Sequence, residues 1–250
     1  MKNFFEPINI FDFDGTLTTD TWPKCWTWIN KYGYEGRKRN KKLENAIKEY
    51  REKNTGDPID TFFDFFNTIL KNNNTVIDFV DFMDGENYIK YSSGVIEYLA
   101  GSEIKKYIIS GDFKDFLKNL KIGTFFNGIY GSNLIKNSFG QIVGFKDGIT
   151  NDKKVEAIKD VLKKDNRTQN NCKNVYYIGD GYSDEDAMKF VHNNGGKSIF
   201  VYQRNGDEFS KYNDEIYNKL NAEGIVDFYC VADYRKNSEL YNILERKNII

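Results

Sequence analysis

Asn9-Ile10-Phe11-Asp12-Phe13-Asp14-Gly15-Thr16-Leu17-Thr18 is a short apolar run that ends in two carboxylates. Read as a strand, it sends Asp12 and Asp14 to one side and Phe13 to the other, because strand side chains alternate. Gly15 follows, and a residue without Cβ permits a tight turn at positive φ. Two acids side by side at the end of a buried strand repel each other and resist desolvation, so such a pair needs a cation or a shared proton. A hard divalent ion with oxygen ligands, Mg²⁺ above all, is the natural partner. An ordinary acidic surface turn is the competing explanation for the same residues. The rest of the chain decides between them.

A chain of 250 residues is long enough for one full core plus an insertion. Its net charge of −1 leaves no whole-chain basic field of the kind that binds nucleic acid. Charged residues make up 29% and hydrophobic residues 40%, a soluble globular profile, and the 20 Phe and 17 Tyr predict an aromatic-rich core. Neither a signal-peptide h-region nor an apolar run long enough to span a bilayer is visible, which predicts a cytoplasmic protein. Cys25, Cys172 and Cys230 fit neither a zinc spacing nor a disulfide framework and are expected as reduced thiols. His192 precedes Asn193-Asn194-Gly195-Gly196, so it reads as a helix-terminal residue, not as a base or a metal ligand.

After the acidic run the pattern changes. From Trp22 to Tyr91 there is little strand character, and apolar residues recur at helical spacing: Trp22, Trp26 and Ile29; then Phe62, Phe63, Phe66, Ile69 and Leu70; then Val76, Phe79, Val80 and Met83. Residues 21–90 are therefore expected to form a helical cap, and 1–20 with 91–250 an α/β core. Helices beside a site at strand ends act as a lid that excludes water and selects substrate. Joints near Asp20-Thr21 and Tyr91-Ser92-Ser93-Gly94 would let the cap move as a unit. The basic run at 36–42 is expected as a solvated helix start, with an anionic partner as the alternative.

Beyond Gly94, strand and helix signals alternate. An apolar strand from Ile104 to Ile109 ends in Ser110-Gly111-Asp112, and a helix is expected from Phe113 to Leu120. Ile129 to Phe145 reads as a hairpin, and Thr150-Asn151-Asp152-Lys153-Lys154 leads into a helix from Val155 to Lys163. A strand from Val175 to Ile178 ends in Gly179-Asp180-Gly181-Tyr182-Ser183-Asp184, followed by a helix from Ser183 to Phe190. Further elements are expected at Ser198–Tyr202 (strand), Asp207–Leu220 (helix), Val226–Val231 (strand) and Tyr234–Glu245 (helix). Alternation of this kind implies a doubly wound parallel sheet covered on both faces, with ligands beyond the carboxyl ends of the strands. Asp12, Asp14, Ser110 and Asp180 all fall there.

Asp12-x-Asp14-x-Thr16, then Ser110-Gly111, then a lysine at a helix start, then Gly179-Asp180-Gly181-x-x-Asp184, resemble the ordered signature of the haloacid dehalogenase superfamily. An insert between the first two motifs, and the stretch around Tyr130-Gly131-Ser132-Asn133-Leu134, resemble its phosphoserine phosphatase-like branch. The resemblance implies a Rossmann-like core with a helical cap and a Mg²⁺-dependent phosphatase acting on a small phosphorylated metabolite. It implies Asp12 as nucleophile and Asp14 as the acid and base that serves the leaving oxygen and the water. It implies metal ligation by the Asp12 side chain, the Asp14 main-chain carbonyl and Asp180, with Thr16 and Asp184 in supporting positions. Ser110, Gly111 and Lys154 would hold the phosphoryl group.

Lys153 competes with Lys154 for that role. Helical phase favours Lys154, which shares a face with Ile158 and Val161, whereas Lys153 shares one with Ala157, Asp160 and Lys164. Three other functions stand beside hydrolysis: a catalytically idle phospho-ligand binder of the same fold, a phosphotransferase, and a receiver-type domain that is phosphorylated on a strand-end Asp. The Asp-x-Asp spacing and the insert speak against the receiver. Phosphoserine is not expected as the preferred substrate. Thr21 stands where phosphoserine phosphatases place an amine-binding glutamate, although Asp20, or Asp112 in a position where that branch tends to have glycine, could reach an amine.

Overall fold

The computed structural model describes residues 5–19, 59–60, 63–64, 67, 70–71, 76–79, 83, 86, 89–203 and 210–245. Trp22, Cys25, Trp26, Asp20, Thr21 and the basic run at 36–42 lie outside the described residues.

The strands are β1 (Ile8–Phe11), β2 (Lys105–Phe113), β3 (Gly128–Lys136), β4 (Ile142–Lys146), β5 (Val175–Gly179), β6 (Lys197–Tyr202) and β7 (Phe228–Val231). They form one sheet in the order β4-β3-β2-β1-β5-β6-β7. β4 pairs antiparallel with β3, and the other pairings are parallel. The chain winds outward from β1 through β2 and β3, then returns to the other side of β1 to lay down β5. The crevice between β1 and β5 is thus the topological switch point, where ligands of open α/β sheets bind.

Alternation in the strands divides the core into two layers. Ile8 and Ile10 of β1, with Val175 and Tyr177 of β5, face α3 (Asn151–Lys164), α4 (Glu185–Asn193) and α5 (Ser210–Ala222), meeting Ile158, Val161, Met188, Val191 and Leu220. Phe11, Tyr176 and Ile178 face the other way, toward α1 (Val95–Gly101), α2 (Lys114–Asn119) and α6 (Glu239–Leu244), meeting Tyr98, Leu99, Leu117, Leu240 and Leu244. Both faces of the parallel strands are covered, which is why those strands read as nearly continuous apolar runs.

Of the elements that depart from the sequence reading, three have a visible cause. β2 runs past Ile109 to Phe113, because a bulge shifts its register against β3 and lets Phe113 pair with Ser132. Phe113 is held there by stacking on Phe145 at 4.8 Å and on Phe63 at 5.7 Å. α3 begins at Asn151, four residues early, so both lysines lie inside its first turns. α6 begins at Glu239 instead of Tyr234. Asn237 takes a left-handed φ of 71°, Ser238 accepts from the Tyr241 N–H as N-cap, and the Asp233–Arg235 pair occupies the preceding turn.

The described part of the insert packs on the β3–β4 hairpin. Ile59, Phe63, Asn67 and Leu70 recur at helical spacing, and Asn67 both donates to the Phe145 carbonyl and accepts from its N–H, at 2.9 and 2.8 Å. Ile77 bridges to Ile142 through two backbone bonds. At its base, Thr18 pairs with Tyr91 and the Thr19 N–H donates to the Lys90 carbonyl, so the outgoing and returning chains lie side by side.

Candidate active site

β1 ends at Phe11, one residue before the first acid. Asp14 is therefore not placed by strand pleating as the sequence suggested. A turn places it: the Leu17 and Thr18 N–H groups both donate to the Phe13 carbonyl, Phe13 is buried beneath, and Gly15 adopts φ of 68°. A Cβ on Gly15 would stand 2.0 Å from Asp180 Oδ2, so glycine is needed for conformation and for space alike. Gly15→Ala should cost about 1–3 kcal/mol of stability and displace Asp180. Denaturant titration of the purified variant checks this, and an unchanged midpoint would mean that the turn is not under this constraint.

Asp180 follows β5 directly, across the switch crevice from Asp12. Ligand oxygens of Asp12, Asp180 and Asp184 all lie within 4.8 Å of one another. The three acids have different surroundings. Asp184, fully buried, is already used by the protein: its Oδ1 accepts from Lys154 Nζ at 2.8 Å and Tyr177 Oη at 2.6 Å, and its Oδ2 from the Asp180 and Gly181 N–H groups, both at 3.2 Å. That makes Asp184 an organiser of the loop after β5. Thr16 Oγ1 approaches Asp180 Oδ1 at 3.5 Å, a long contact. An oxygen-only donor set of adjacent carboxylates suits a hard ion such as Mg²⁺, and Asp12 and Asp180 are the side chains that could hold it.

Lys154, not Lys153, reaches this cluster. Its Nζ lies 3.1 Å from Asp12 Oδ1, 2.8 Å from Asp184 Oδ1 and 3.3 Å from Ser183 Oγ, and the side chain is buried. α3 presents it on the face that carries Ile158 and Val161, with Lys153 turned partly to solvent. Ala157, on the face that carries Lys153, is itself buried. Burial alone would lower the Lys154 pKa, but Asp12 and Asp184 outweigh it and hold the ammonium protonated. Burial, then the charge of Asp184, pushes Asp12 up to about 6 against the opposing pull of Lys154. Burial, then Asp112, Asp12 and Asp180, raises Asp14 well above the usual carboxylate range.

Ser110 is buried at the bulge of β2, where its Oγ accepts from the Asp112 N–H at 3.1 Å. Gly111 sits under the insert: a Cβ there would come within 2.7 Å of Ile59 Cδ1, and its carbonyl accepts from Ser132 Oγ at 2.7 Å. The sequence reading missed several supports. Gln203 Nε2 donates to the Gly15 and Thr18 carbonyls and to Ser92 Oγ, at 2.8, 3.0 and 3.0 Å, tying the acidic turn to the returning chain of the insert. Tyr234 Oη donates to the Thr16 carbonyl at 3.3 Å. Both follow the carboxyl ends of strands, β6 and β7, which was the available signal; Tyr177, in mid-strand, had none. His192 lies away from this cluster, its Nδ1 2.9 Å from Asp227 Oδ2 at the end of α4.

The sequence model of the haloacid dehalogenase-like hydrolase family matches residues 10–189. An uncharacterised protein of Borreliella burgdorferi is 25% identical over 171 residues, a match that spans 58% of this chain and 58% of that protein. A phosphoserine phosphatase solved as a phospho-aspartyl intermediate analogue superposes with a TM-score of 0.65 at 14% identity, over 98% of this chain and 100% of that one. A substrate-bound phosphoserine phosphatase gives 0.64 at 14% identity, with the same coverage. A haloacid dehalogenase family hydrolase from Salmonella enterica serovar Typhi gives 0.58 at 15% identity, over 78% of this chain and 63% of that one. With the family model matched from the first acidic motif through the last, the chain belongs to the haloacid dehalogenase-like hydrolases and has the fold seen in phosphoserine phosphatases.

Proposed function

We propose that this protein is a Mg²⁺-dependent phosphatase that hydrolyses small phosphate monoesters through an aspartyl phosphate on Asp12. The observation that carries the proposal is the meeting of Asp12 and Asp180 at the switch crevice with Lys154 spanning Asp12 and Asp184. Asp12 attacks phosphorus, and Asp14 gives its proton to the departing alcohol oxygen. Asp14 then takes a proton from the water that attacks the acyl phosphate, which returns Asp12 as a carboxylate. Ser110 and Lys154 hold the phosphoryl oxygens, Gly111 keeps the approach open, and Asp184 keeps Lys154 in place. Asp12, Asp180 and the Asp14 main-chain carbonyl would hold Mg²⁺, whose positive charge would offset the repulsion between the carboxylate and the phosphate. Residues 21–90 serve as the cap that closes over this crevice, with Ile59 already above Gly111.

Initial rates on a panel of monoesters, with Mg²⁺ and with a chelator, test the proposal. Turnover of at least one monoester that disappears with the chelator is expected, and phosphoserine is not expected to lead the panel. Absence of turnover on every monoester with Mg²⁺ present would favour a phospho-ligand binder.

A further inference from the structure

Asp112 carries a feature that the reaction just described does not use. Its side chain is buried, 4% exposed, yet among the described residues Oδ2 has no hydrogen-bond partner. Oδ1 accepts from the adjacent Phe113 N–H, at 2.7 Å. A buried acceptor left without a donor costs on the order of 1–3 kcal/mol, and more when charged. A role in the fold does not account for it, because an uncharged side chain could make the same single backbone bond.

The place of this carboxyl in the site points to its use. The bulge between Ile109 and Phe113 lifts residue 112 at the end of β2, and its own N–H rests on Ser110 Oγ. Among neighbouring charges, Asp112 acts most strongly on Asp14, and Asp12 acts on Asp112 in turn. Asp112 thus lies within electrostatic reach of Asp14, the residue that serves the leaving oxygen in the reaction proposed above. Lys154 is shared between Asp12 and Asp184, while Asp12 and Asp14 add like charge near Asp112, so the surroundings favour a donor over an acceptor at Oδ2.

We propose that Asp112 is a specificity-determining residue whose free carboxylate oxygen accepts a hydrogen bond from a hydroxyl or ammonium group carried next to the ester on the substrate's leaving alcohol. The assignment rests on the phosphatase reading for the identity of the leaving group, but its test does not require turnover. Non-hydrolysable phosphonates replace the ester oxygen by carbon: propylphosphonate has no donor, 3-hydroxypropylphosphonate has a hydroxyl and 3-aminopropylphosphonate an ammonium. Titration calorimetry of the full chain with Mg²⁺ measures all three against wild type, Asp112→Ala and Asp112→Asn.

Wild type should bind at least one donor-bearing phosphonate about tenfold or more tightly than propylphosphonate, the scale of a hydrogen bond to a charged group. Asp112→Ala should erase that ratio. Asp112→Asn keeps a carbonyl acceptor but no charge, so it should retain a hydroxyl preference and lose an ammonium preference, which tells the two sources apart. A purely structural role would shift all three affinities together. No preference in wild type, no binding of any of the three, or a preference that survives in Asp112→Ala overturns the assignment. The phosphatase reading is judged separately, by hydrolysis of monoesters.

Discussion

Asp12→Asn should lower turnover of every phosphate monoester by on the order of 10⁴-fold or more, to the background set by binding and electrostatics alone. The substitution conserves volume but removes the nucleophile, because an amide oxygen is a poor attacking group and cannot leave as a carboxylate. The fold should tolerate it. Asp12 is buried and held above its ordinary pKa by desolvation and by Asp184, so the neutral isostere relieves part of an electrostatic cost, although Lys154 loses one of its partners. Substrate should still bind. Steady-state kinetics combined with calorimetry make the distinction: near wild-type kcat would remove Asp12 from the chemistry, whereas lost binding together with lost kcat would mean that the site had collapsed.

Lys154→Ala should reduce kcat/KM by roughly 10²–10³-fold, the scale of removing one preorganised charge from an anionic transition state. Lys153→Ala should stay within a few-fold of wild type. The structure gives the asymmetry its cause: Lys154 is buried between Asp12 and Asp184, while Lys153 lies on the flank of the same helix. Removing the cation also leaves two buried acids facing each other, a change that costs roughly 3–5 kcal/mol in comparable buried pairs. Lys154→Gln, which keeps most of the volume, should therefore accompany the alanine variant, with thermal midpoints measured beside the kinetics. A folded Lys154→Gln with wild-type kcat/KM would confine this lysine to holding the fold together.

The sheet was readable from the sequence where local pattern and tertiary environment agree. The strand ending at Phe11 and the strand ending at Gly179 are apolar runs broken by acids and glycine, and burial on both faces makes such runs. Helical phase alone separated Lys154 from Lys153, since Ile158 and Val161 must face the sheet. The reading stopped at Ile109 in β2 because Ser110-Gly111-Asp112 resembles a loop. Only the pairing of Phe113 with Ser132 and its stacking on Phe145 and Phe63 carry the strand through a bulge, and those partners are distant in sequence. The late start of α6 depends on one left-handed asparagine and one serine cap, against a periodic apolar pattern that begins at Tyr234. The unpartnered oxygen of Asp112 leaves no trace in composition or spacing. It follows from what the bulge does not place beside it.

Trapping the covalent intermediate tests the central claim most directly. Enzyme quenched during turnover and treated with hydroxylamine converts an acyl phosphate to a hydroxamate, which peptide mass spectrometry locates on the chain. The account predicts a substrate-dependent hydroxamate on the peptide that contains Asp12, confined to that residue and absent from Asp12→Asn. Sustained turnover with no acyl phosphate on that peptide, or with the label at another carboxylate, would contradict it.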